Sequence, residues 1–339
     1  MALRMLTSPG HWMLSEEFTF PTAVETALLM GVKTATVSMD SEGMRADLLD
    51  EILTHWDERA RGGPKPSILY TVPTGQNPTG LTQPLQRRKD LYAVACKHDL
   101  IILEDEPYYF MQMAEYDLCG TEETRSTSPT PMEFLASLVP SYLSIDVDGR
   151  VIRMDSFSKT LAPGSRIGWI TASRQLVERY RMHADFSTQS PSGFSQLVLF
   201  KLLDEHWGHE GYLEWLLHVR KQYTKRRNVM LRACEKFLPT DFVHWIPPSA
   251  GMFLWLQVEY MKHPEFPKKS ILEIEDQLFH RLIDCGVLLI KGSWFCGEKD
   301  QEVGKLFFRA TYAAAPAERI EEAMQRFGLS VEHEFTGPN

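Results

Sequence analysis

Residues 156–168 read SFSKTLAPGSRIG, and this stretch decides how the rest of the sequence is interpreted. It directly follows residues 151–154 (VIRM), a short β-rich run that predicts a strand. Hydroxyl groups and an arginine suit a phosphate, and Lys159 supplies an amine that can form a Schiff base with a carbonyl. A solvated loop with a surface lysine would have the same composition, because short motifs often match by chance.

Alternating strand-like and helix-like segments precede this stretch. Residues 68–72 (ILYTV) and 100–103 (LIIL) are apolar runs typical of buried strands, and residues 81–98 between them carry apolar side chains at helical spacing. Strand, helix and strand in this order predict a crossover unit. We therefore expect an α/β fold with a mainly parallel central sheet.

The domain organisation follows from the same patterns. Long helical patterns and then a second strand-and-helix region follow the decisive stretch, which predicts a large domain at 1–215 and a smaller α+β domain at 216–339. Residues 121–131 are rich in Thr, Ser, Glu and Pro and predict a flexible surface insertion.

Polar side chains follow three of the predicted strands. Asn77 comes after the first strand, Asp105 and Tyr108 after the second, and Lys159 and Arg166 after the third. Each of them alone also fits a turn, a helix cap or a solvated loop. Together they form the set that a pyridine-based cofactor needs: a carboxylate for the ring nitrogen, a phenol and an amide for the ring hydroxyl, and a lysine for the aldehyde.

Composition and charge exclude several other classes of protein. The chain has 339 residues, 43% hydrophobic and 24% charged, as in ordinary globular proteins. Its net charge of -9 makes nucleic acid and anionic membranes poor partners, and no apolar run reaches the roughly 18 residues of a membrane span. The five cysteines are scattered without a CxxC pair, so we expect no disulfide framework, no metal site and a reducing, cytoplasmic location.

The sequence resembles the fold-type I, class I and II aminotransferases, and is most similar to their branch of fungal aromatic amino-acid and mammalian kynurenine/2-aminoadipate enzymes. The similarity extends from about Leu14 to Phe327. It implies the fold type I of transferases that depend on pyridoxal 5'-phosphate. The motifs that carry it are YTVPTGQNPTG (70–80), EDEPYYF (104–110), DVDGRVIR (146–153), SFSKTLAPGSRIG (156–168) and AGMFLW (250–255).

The resemblance implies a role for each residue that follows the three strands. Lys159 would hold pyridoxal phosphate covalently and move protons during the reaction. Asp105 would pair with the pyridine nitrogen, and Tyr108 and Asn77 would contact the ring hydroxyl. The phosphate would be held by Ser156, Ser158 and Arg166.

Two further residues are assigned by the same resemblance. Phe20 matches the aromatic residue that stacks on the cofactor ring, although a core phenylalanine would fit the same pattern. Arg309 lies in residues 305–312 (KLFFRATY) and matches the arginine that binds the substrate α-carboxylate, beside Asn77. A structural ion pair is the alternative for Arg309.

The activity that the resemblance implies is amino transfer between an amino acid and a 2-oxo acid. The expected donors are an aromatic L-amino acid, kynurenine or 2-aminoadipate, the expected acceptor is 2-oxoglutarate, and the expected assembly is a homodimer. Family members usually have a longer segment ahead of this start, so the chain is expected to be N-terminally truncated. The alternatives are an inactive, binding-only relative and a lyase or decarboxylase of the same fold.

Overall fold

The computed structural model describes residues 1–116, 129–298 and 304–337. Of the surface insertion predicted at residues 121–131, residues 121–128 lie outside these ranges. The described strands, in chain order, are β1 (Trp12–Glu16), β2 (Lys33–Val37), β3 (Met39–Asp40), β4 (Gly43–Met44), β5 (Ile68–Thr71), β6 (Ile101–Asp105), β7 (Val151–Ser156), β8 (Gly168–Thr171), β9 (Val243–Trp245), β10 (Phe253–Val258), β11 (Ile290–Lys291) and β12 (Leu306–Thr311).

Helices cover the sheets that these strands form. Among the described residues, no helix has the length and apolar content that crossing a membrane requires. The α-helices are α1 (Ala2–Leu6), α2 (Pro21–Leu29), α3 (Ala46–Thr54), α4 (Glu58–Arg61), α5 (Leu85–Lys97), α6 (Pro131–Ser137), α7 (Tyr142–Ile145), α8 (Arg174–Asp185), α9 (Gly193–Phe200), α10 (Gly208–Phe237), α11 (Ile271–Asp284) and α12 (Ala317–Thr336).

The larger sheet has six strands in the order β2-β1-β5-β6-β7-β8. Its neighbouring strands are parallel except for β7 and β8, which are antiparallel. Ile68 and Leu103 belong to the core on one face of this sheet, and Leu69 and Ile102 to the core on the other. Because both faces are covered there, residues 68–70 of β5 and 101–103 of β6 are apolar without alternation. The prediction of an α/β fold with a mainly parallel sheet is confirmed.

The smaller sheet is antiparallel, with the order β11-β12-β10-β9. Leu254 and Phe308 face its own core, which α10, α11 and α12 complete. Because side chains alternate along a strand, Phe253 and Arg309 lie on the opposite face of the same sheet. This face is directed towards the large sheet, since Phe253 packs in a core cluster of the large sheet.

The long helix α10 packs against both sheets. Its Val219 belongs to a core cluster of the large sheet, and its Met230 belongs to the core of the small sheet. The boundary between 1–215 and 216–339, which falls early in this helix, stays a prediction.

The helix predicted at residues 81–98 is shorter in the structure, where α5 begins at Leu85. The residues before it fold back as a closed loop: the Gln76 N–H donates to the Leu81 carbonyl over 2.8 Å, and the Gln83 N–H to the Pro73 carbonyl over 2.9 Å. These hydrogen bonds hold residues 76–83 outside a helical conformation.

Candidate active site

The predicted site residues lie where three neighbouring strands of the large sheet end. Thr71 of β5 pairs with Glu104 of β6, and Asp105 of β6 pairs with Met154 of β7, so the carboxyl ends of these strands are adjacent. The loops after such ends form the ligand-binding edge of a parallel sheet. The fold therefore brings the loop with Asn77, the Asp105–Tyr108 turn and the Ser156–Lys159 turn to one edge.

Asp105 is partly buried at the end of β6 and accepts a hydrogen bond on Oδ2 from the Tyr70 hydroxyl, 2.7 Å away. Burial raises the pKa of the Asp105 carboxyl to about 6, the hydrogen bond from Tyr70 opposes this shift, and the charge of Asp155 adds to it. A buried carboxylate of this kind is stabilised by a cationic partner. Tyr70 was not predicted as a site residue, although it is in the strand adjacent to the one that carries Asp105.

Tyr108 is buried beside the small sheet. Its ring packs edge to face on Phe253 of β10, with 5.9 Å between the ring centroids. Burial, with the charge of Asp105 adding to it, raises the pKa of the Tyr108 hydroxyl well above its usual value. Tyr108 therefore keeps its proton at neutral pH and can donate a hydrogen bond into the site.

The turn after β7 gathers two hydroxyls and a guanidinium. The Ser156 hydroxyl donates to Ser158 Oγ over 2.8 Å, and the Ser158 backbone N–H donates to Ser156 Oγ over 3.0 Å. Arg166 has a left-handed backbone with φ 53° and donates from Nη1 to Ser158 Oγ over 3.4 Å. Lys159, which follows Ser158 in the chain, is exposed. The structure thus brings the predicted phosphate-binding groups together beside the lysine.

Arg309 reaches the site from β12 of the small sheet. Its Nη1 donates to Asn77 Oδ1 over 2.7 Å, and its guanidinium carbon lies 4.3 Å from the ring centroid of Phe253 and 4.7 Å from that of Phe295. Its buried Nε has no hydrogen-bond partner among the described residues. Burial also lowers the pKa of this guanidinium. The hydrogen-bond partner of Arg309 among the described residues is the neutral amide of Asn77 and not a carboxylate, which argues against a structural ion pair.

Phe20 lies at the N-terminus of α2 with 36% of its surface exposed. This exposure argues against a core role and leaves the ring accessible to a ligand. The buried aromatic of the same segment is Phe18, whose ring packs on Trp255 and Phe307.

The loop with Asn77 presses closely against the small domain. A Cβ atom on Gly75 would lie 2.6 Å from the Gly251 backbone nitrogen, and one on Gly251 would lie 2.7 Å from the Gly75 carbonyl oxygen. Both glycines also have positive φ values, 55° and 76°. Only residues without a side chain permit this approach, which sets Asn77 and Arg309 side by side.

The gathered groups fit a phosphorylated pyridine aldehyde. Ser156, Ser158 and Arg166 offer donors to a phosphate, Asp105 offers a buried carboxylate to a ring nitrogen, and Lys159 offers an amine. The unpartnered Nε of Arg309 calls for an anionic acceptor that the described residues do not supply. In those same residues, no cluster of His, Cys, Asp or Glu is arranged to hold a metal ion.

The aminotransferase class I and II family matches residues 1–327. This chain belongs to that family. An aromatic amino acid aminotransferase of Schizosaccharomyces pombe is 46% identical over 337 residues, which are 99% of this chain and 70% of that protein. An L-tyrosine:2-oxoglutarate aminotransferase of Tapinella panuoides is 33% identical over 98% of this chain and 70% of its own length. The crystal structure of aminotransferase Aro8 from Candida albicans has a TM-score of 0.92 and 42% identity, covering 98% of this chain and 70% of that one.

These comparisons confirm the predicted family, the fold type I and an aminotransferase activity. They also confirm the predicted cofactor, because the class I and II aminotransferases depend on pyridoxal 5'-phosphate. Sequence reasoning missed Tyr70, Phe253 and Phe295. Tyr70 and Phe253 lie in the motifs at 70–80 and 250–255 that carry the resemblance, whereas Phe295 has no signal in the sequence beyond its aromatic side chain.

Proposed function

We propose that this aminotransferase moves the amino group of an aromatic L-amino acid, kynurenine or 2-aminoadipate to 2-oxoglutarate. The observation that carries the proposal is the position of Arg309. Its unpartnered guanidinium nitrogen lies between two phenylalanine rings and beside Asn77, at the edge that holds Asp105, Tyr108 and Lys159. A cation there binds the α-carboxylate that all of these amino acids and 2-oxo acids share.

Arg309 and Asn77 orient the substrate. A planar guanidinium can bind a carboxylate through two parallel hydrogen bonds, which fixes the direction of the remaining bonds at Cα. The rings of Phe253 and Phe295 limit how the guanidinium can rotate and keep water from its faces. Holding Cα in one orientation raises the rate of the reaction, because the bound substrate is already aligned with the groups that act on it.

Asp105, Tyr108 and Lys159 supply the groups that act on the reacting atoms. When bound, pyridoxal phosphate withdraws electrons from the substrate Cα and carries the amino group from donor to acceptor. Asp105 would keep the pyridine nitrogen protonated, and the Tyr108 hydroxyl would donate a hydrogen bond to the ring oxygen. Lys159 Nζ would hold the aldehyde and, once the substrate amine has displaced it, would be free to move the proton at the substrate Cα.

The remaining predicted residues hold the cofactor in place. Ser156, Ser158 and Arg166 bind its phosphate, because their donors already converge at the end of β7. Phe20 covers a face of the ring, and its exposed position supports this role. Asn77 contributes its amide to the ring oxygen as well as to the substrate carboxylate.

The aromatic and 2-oxoglutarate specificities are supported by what the relatives are called. The relative from Schizosaccharomyces pombe is an aromatic amino acid aminotransferase, and that from Tapinella panuoides is an L-tyrosine:2-oxoglutarate aminotransferase. A bovine relative, 34% identical over 95% of this chain, is a kynurenine/alpha-aminoadipate aminotransferase. The phenylalanines around Arg309 provide apolar surface for an aromatic donor.

The test is an assay of the purified chain, saturated with pyridoxal phosphate, against L-tyrosine, L-phenylalanine, L-kynurenine and L-2-aminoadipate, each with and without 2-oxoglutarate. We expect glutamate and the donor's 2-oxo acid in equal amounts, and neither without the acceptor. Ammonia or carbon dioxide released without an acceptor would instead indicate a lyase or a decarboxylase. Absence of glutamate with every donor would overturn the proposal.

We also propose that the chain forms a homodimer and works in the cytoplasm. Large apolar side chains of α9 and the preceding turn are exposed, which is typical of surfaces that pack against another chain; they are Phe186, Phe194, Leu197, Val198 and Phe200. Light scattering would test the dimer, and Val198→Glu should shift the mass towards the monomer. Cell fractionation would test the location, which the scattered cysteines support.

A further inference from the structure

Behind the site, on the opposite face of β6, lies a buried charged cluster. Glu104 and Glu106 flank Asp105, and because side chains alternate along a strand they point away from it. Both carboxylates and the guanidinium of Arg88 on α5 are fully buried. Arg88 Nη1 lies 3.3 Å from Glu106 Oε1 and 3.8 Å from Glu104 Oε1.

This cluster holds the start of the loop that carries Asn77. The Thr74 hydroxyl donates to Glu106 Oε1 over 2.8 Å and accepts a hydrogen bond of 2.8 Å from Arg88 Nη2. Arg88 also donates to the Pro73 carbonyl from Nη2 and to the Gln83 carbonyl from Nε, over 3.2 and 3.0 Å. The buried side chain of Arg88 therefore binds both ends of the loop, at Pro73 and Thr74 and at Gln83.

Glu104 and Glu106 both lie near Arg88 and are equally buried, but their hydrogen-bond partners differ. Glu104 accepts from the backbone N–H groups of Tyr142 and Leu143, over 2.7 and 3.1 Å, which belong to α7 and not to the loop. Glu106 reaches the loop through Thr74, and its Oε2 has no partner in the described part of the chain. Without the Thr74 hydroxyl, Arg88 would be the one hydrogen-bond partner left to the Glu106 carboxylate among the described residues.

We propose that Thr74 and Glu106 are positioning residues that, with Arg88, hold the loop with Asn77 in place beside Arg309. Through this loop they set the affinity of the site for substrate carboxylates. The proposal deepens the proposed function and rests on it for the identity of the substrates. Its structural part concerns only this chain: Thr74 is three residues from Asn77, and Asn77 Oδ1 accepts from Arg309 over 2.7 Å. Substrates would be affected through the loop, since the side chains of Thr74 and Glu106 are buried against Arg88.

The experiment compares Thr74→Val, which removes the hydroxyl at nearly constant volume, with Thr74→Ser, which keeps it. Glu104→Gln is the comparison for burial, because it changes an equally buried carboxylate that hydrogen-bonds α7 and lies farther from Arg88, at 3.8 Å, than Glu106 does, at 3.3 Å. All variants are studied as holoenzymes saturated with pyridoxal phosphate. Thr74→Ala replaces Thr74→Val if the valine variant does not fold.

The first measurement is hydrogen exchange of the backbone amides of residues 76–83. We expect Thr74→Val to exchange about tenfold faster there, because a buried hydrogen-bond network has lost its link. Thr74→Ser and Glu104→Gln should remain within about twofold of the parent chain in this segment. Unchanged exchange in Thr74→Val, or equally fast exchange in Thr74→Ser, would overturn the proposal.

The second measurement is steady-state kinetics with L-tyrosine and 2-oxoglutarate. In Thr74→Val we expect KM to rise about tenfold for both substrates and kcat to change less than about threefold. A lower thermal stability with unchanged KM would mean a merely structural role and would overturn the proposal. If the parent chain makes no glutamate, the proposed function fails, and the exchange measurement still decides this inference.

Discussion

The Tyr70 hydroxyl donates to Oδ2 of Asp105 over 2.7 Å, and this bond joins β5 to β6 at the face of the sheet where we propose the cofactor site. Burial raises the pKa of Asp105 to about 6, and the hydrogen bond from Tyr70 acts against that rise. Tyr70 therefore helps to keep Asp105 ionised at neutral pH, which is the form that pairs with a protonated ring nitrogen.

Replacement of Tyr70 by phenylalanine should make cofactor binding more sensitive to acid. In the parent chain, affinity for pyridoxal phosphate should fall as the pH drops below about 6, because Asp105 loses its charge there. In Tyr70→Phe this fall should begin about one pH unit higher, since one hydrogen bond to the carboxylate is lost. Fluorescence titrations between pH 5 and 8 give the affinities. Tyr92→Phe, which removes a similar bond to Asp146 away from the site, should leave the profile unchanged.

Replacement of Arg309 by lysine tests the carboxylate site. Lysine keeps the positive charge but lacks the planar pair of donors, so KM for the amino acid and for the 2-oxo acid should both rise about 30-fold. The affinity for pyridoxal phosphate should be unaffected. Arg226→Lys is the control, because Arg226 of α10 donates hydrogen bonds to the backbone carbonyl oxygens of Tyr312 and Ala315 and has no assigned role in substrate binding. Equal effects of the two substitutions would contradict the assigned role.

The phosphate site can be tested by comparing two ligands. Arg166→Gln should weaken binding of pyridoxal phosphate about 30-fold, because a charged hydrogen bond to the phosphate is lost. Binding of pyridoxal, which has no phosphate, should change less than about threefold. If both ligands lose affinity to the same degree, Arg166 supports the fold of the turn and does not bind the phosphate.

Glu16, at the end of β1, should give the stability of the cofactor-free chain a distinct pH dependence. Its carboxyl is fully buried, accepts from the Thr71 hydroxyl and the Val72 N–H, and has a pKa that burial raises to about 7. The unfolded chain ionises Glu16 at its ordinary, lower pKa. The folded state is therefore favoured most at low pH, and this contribution is lost as the pH rises towards 7.

Replacement of Glu16 by glutamine should remove that loss. Between pH 4.5 and 8, the free energy of unfolding should fall by about 3 kcal/mol less in Glu16→Gln than in the parent chain. Urea unfolding of the cofactor-free proteins at several pH values provides the measurement. Glu17→Gln, a change at the neighbouring and less buried carboxylate, should keep the parental slope. If the free energy of unfolding changes with pH in the same way in Glu16→Gln and in the parent chain, Glu16 is not the source of this pH dependence.

In the large sheet β5, β6 and β7 were predicted, because their buried runs are largely apolar, whereas β1 and β2 carry polar residues and were not predicted. Runs such as residues 68–72 are apolar throughout and stop at a proline, so the end of β5 was located to within one residue. The predicted start of α5, residue 81, was four residues too early, since a loop closed by backbone hydrogen bonds has no distinct hydrophobic pattern. Arg88 would be assigned to the surface from its charge, and only tertiary contacts explain its burial.

The site residues were found to different degrees for similar reasons. Residues at the end of a strand or a few positions after it, such as Asp105 and Lys159, are located by the end of that strand and by motif. Tyr70 needs the register of β5 against β6, which local pattern does not supply. Phe295 is placed by the packing of the small domain on the large one, which the sequence alone does not specify.

Lys159 is the residue that we propose holds pyridoxal phosphate. Borohydride reduction of the chain loaded with the cofactor, followed by peptide mapping of the pyridoxyl label, tests this assignment. We expect one label per chain on the peptide that contains Lys159, and no stable label in Lys159→Ala. A label on another lysine in the parent chain, or the same amount of label in Lys159→Ala, would contradict it.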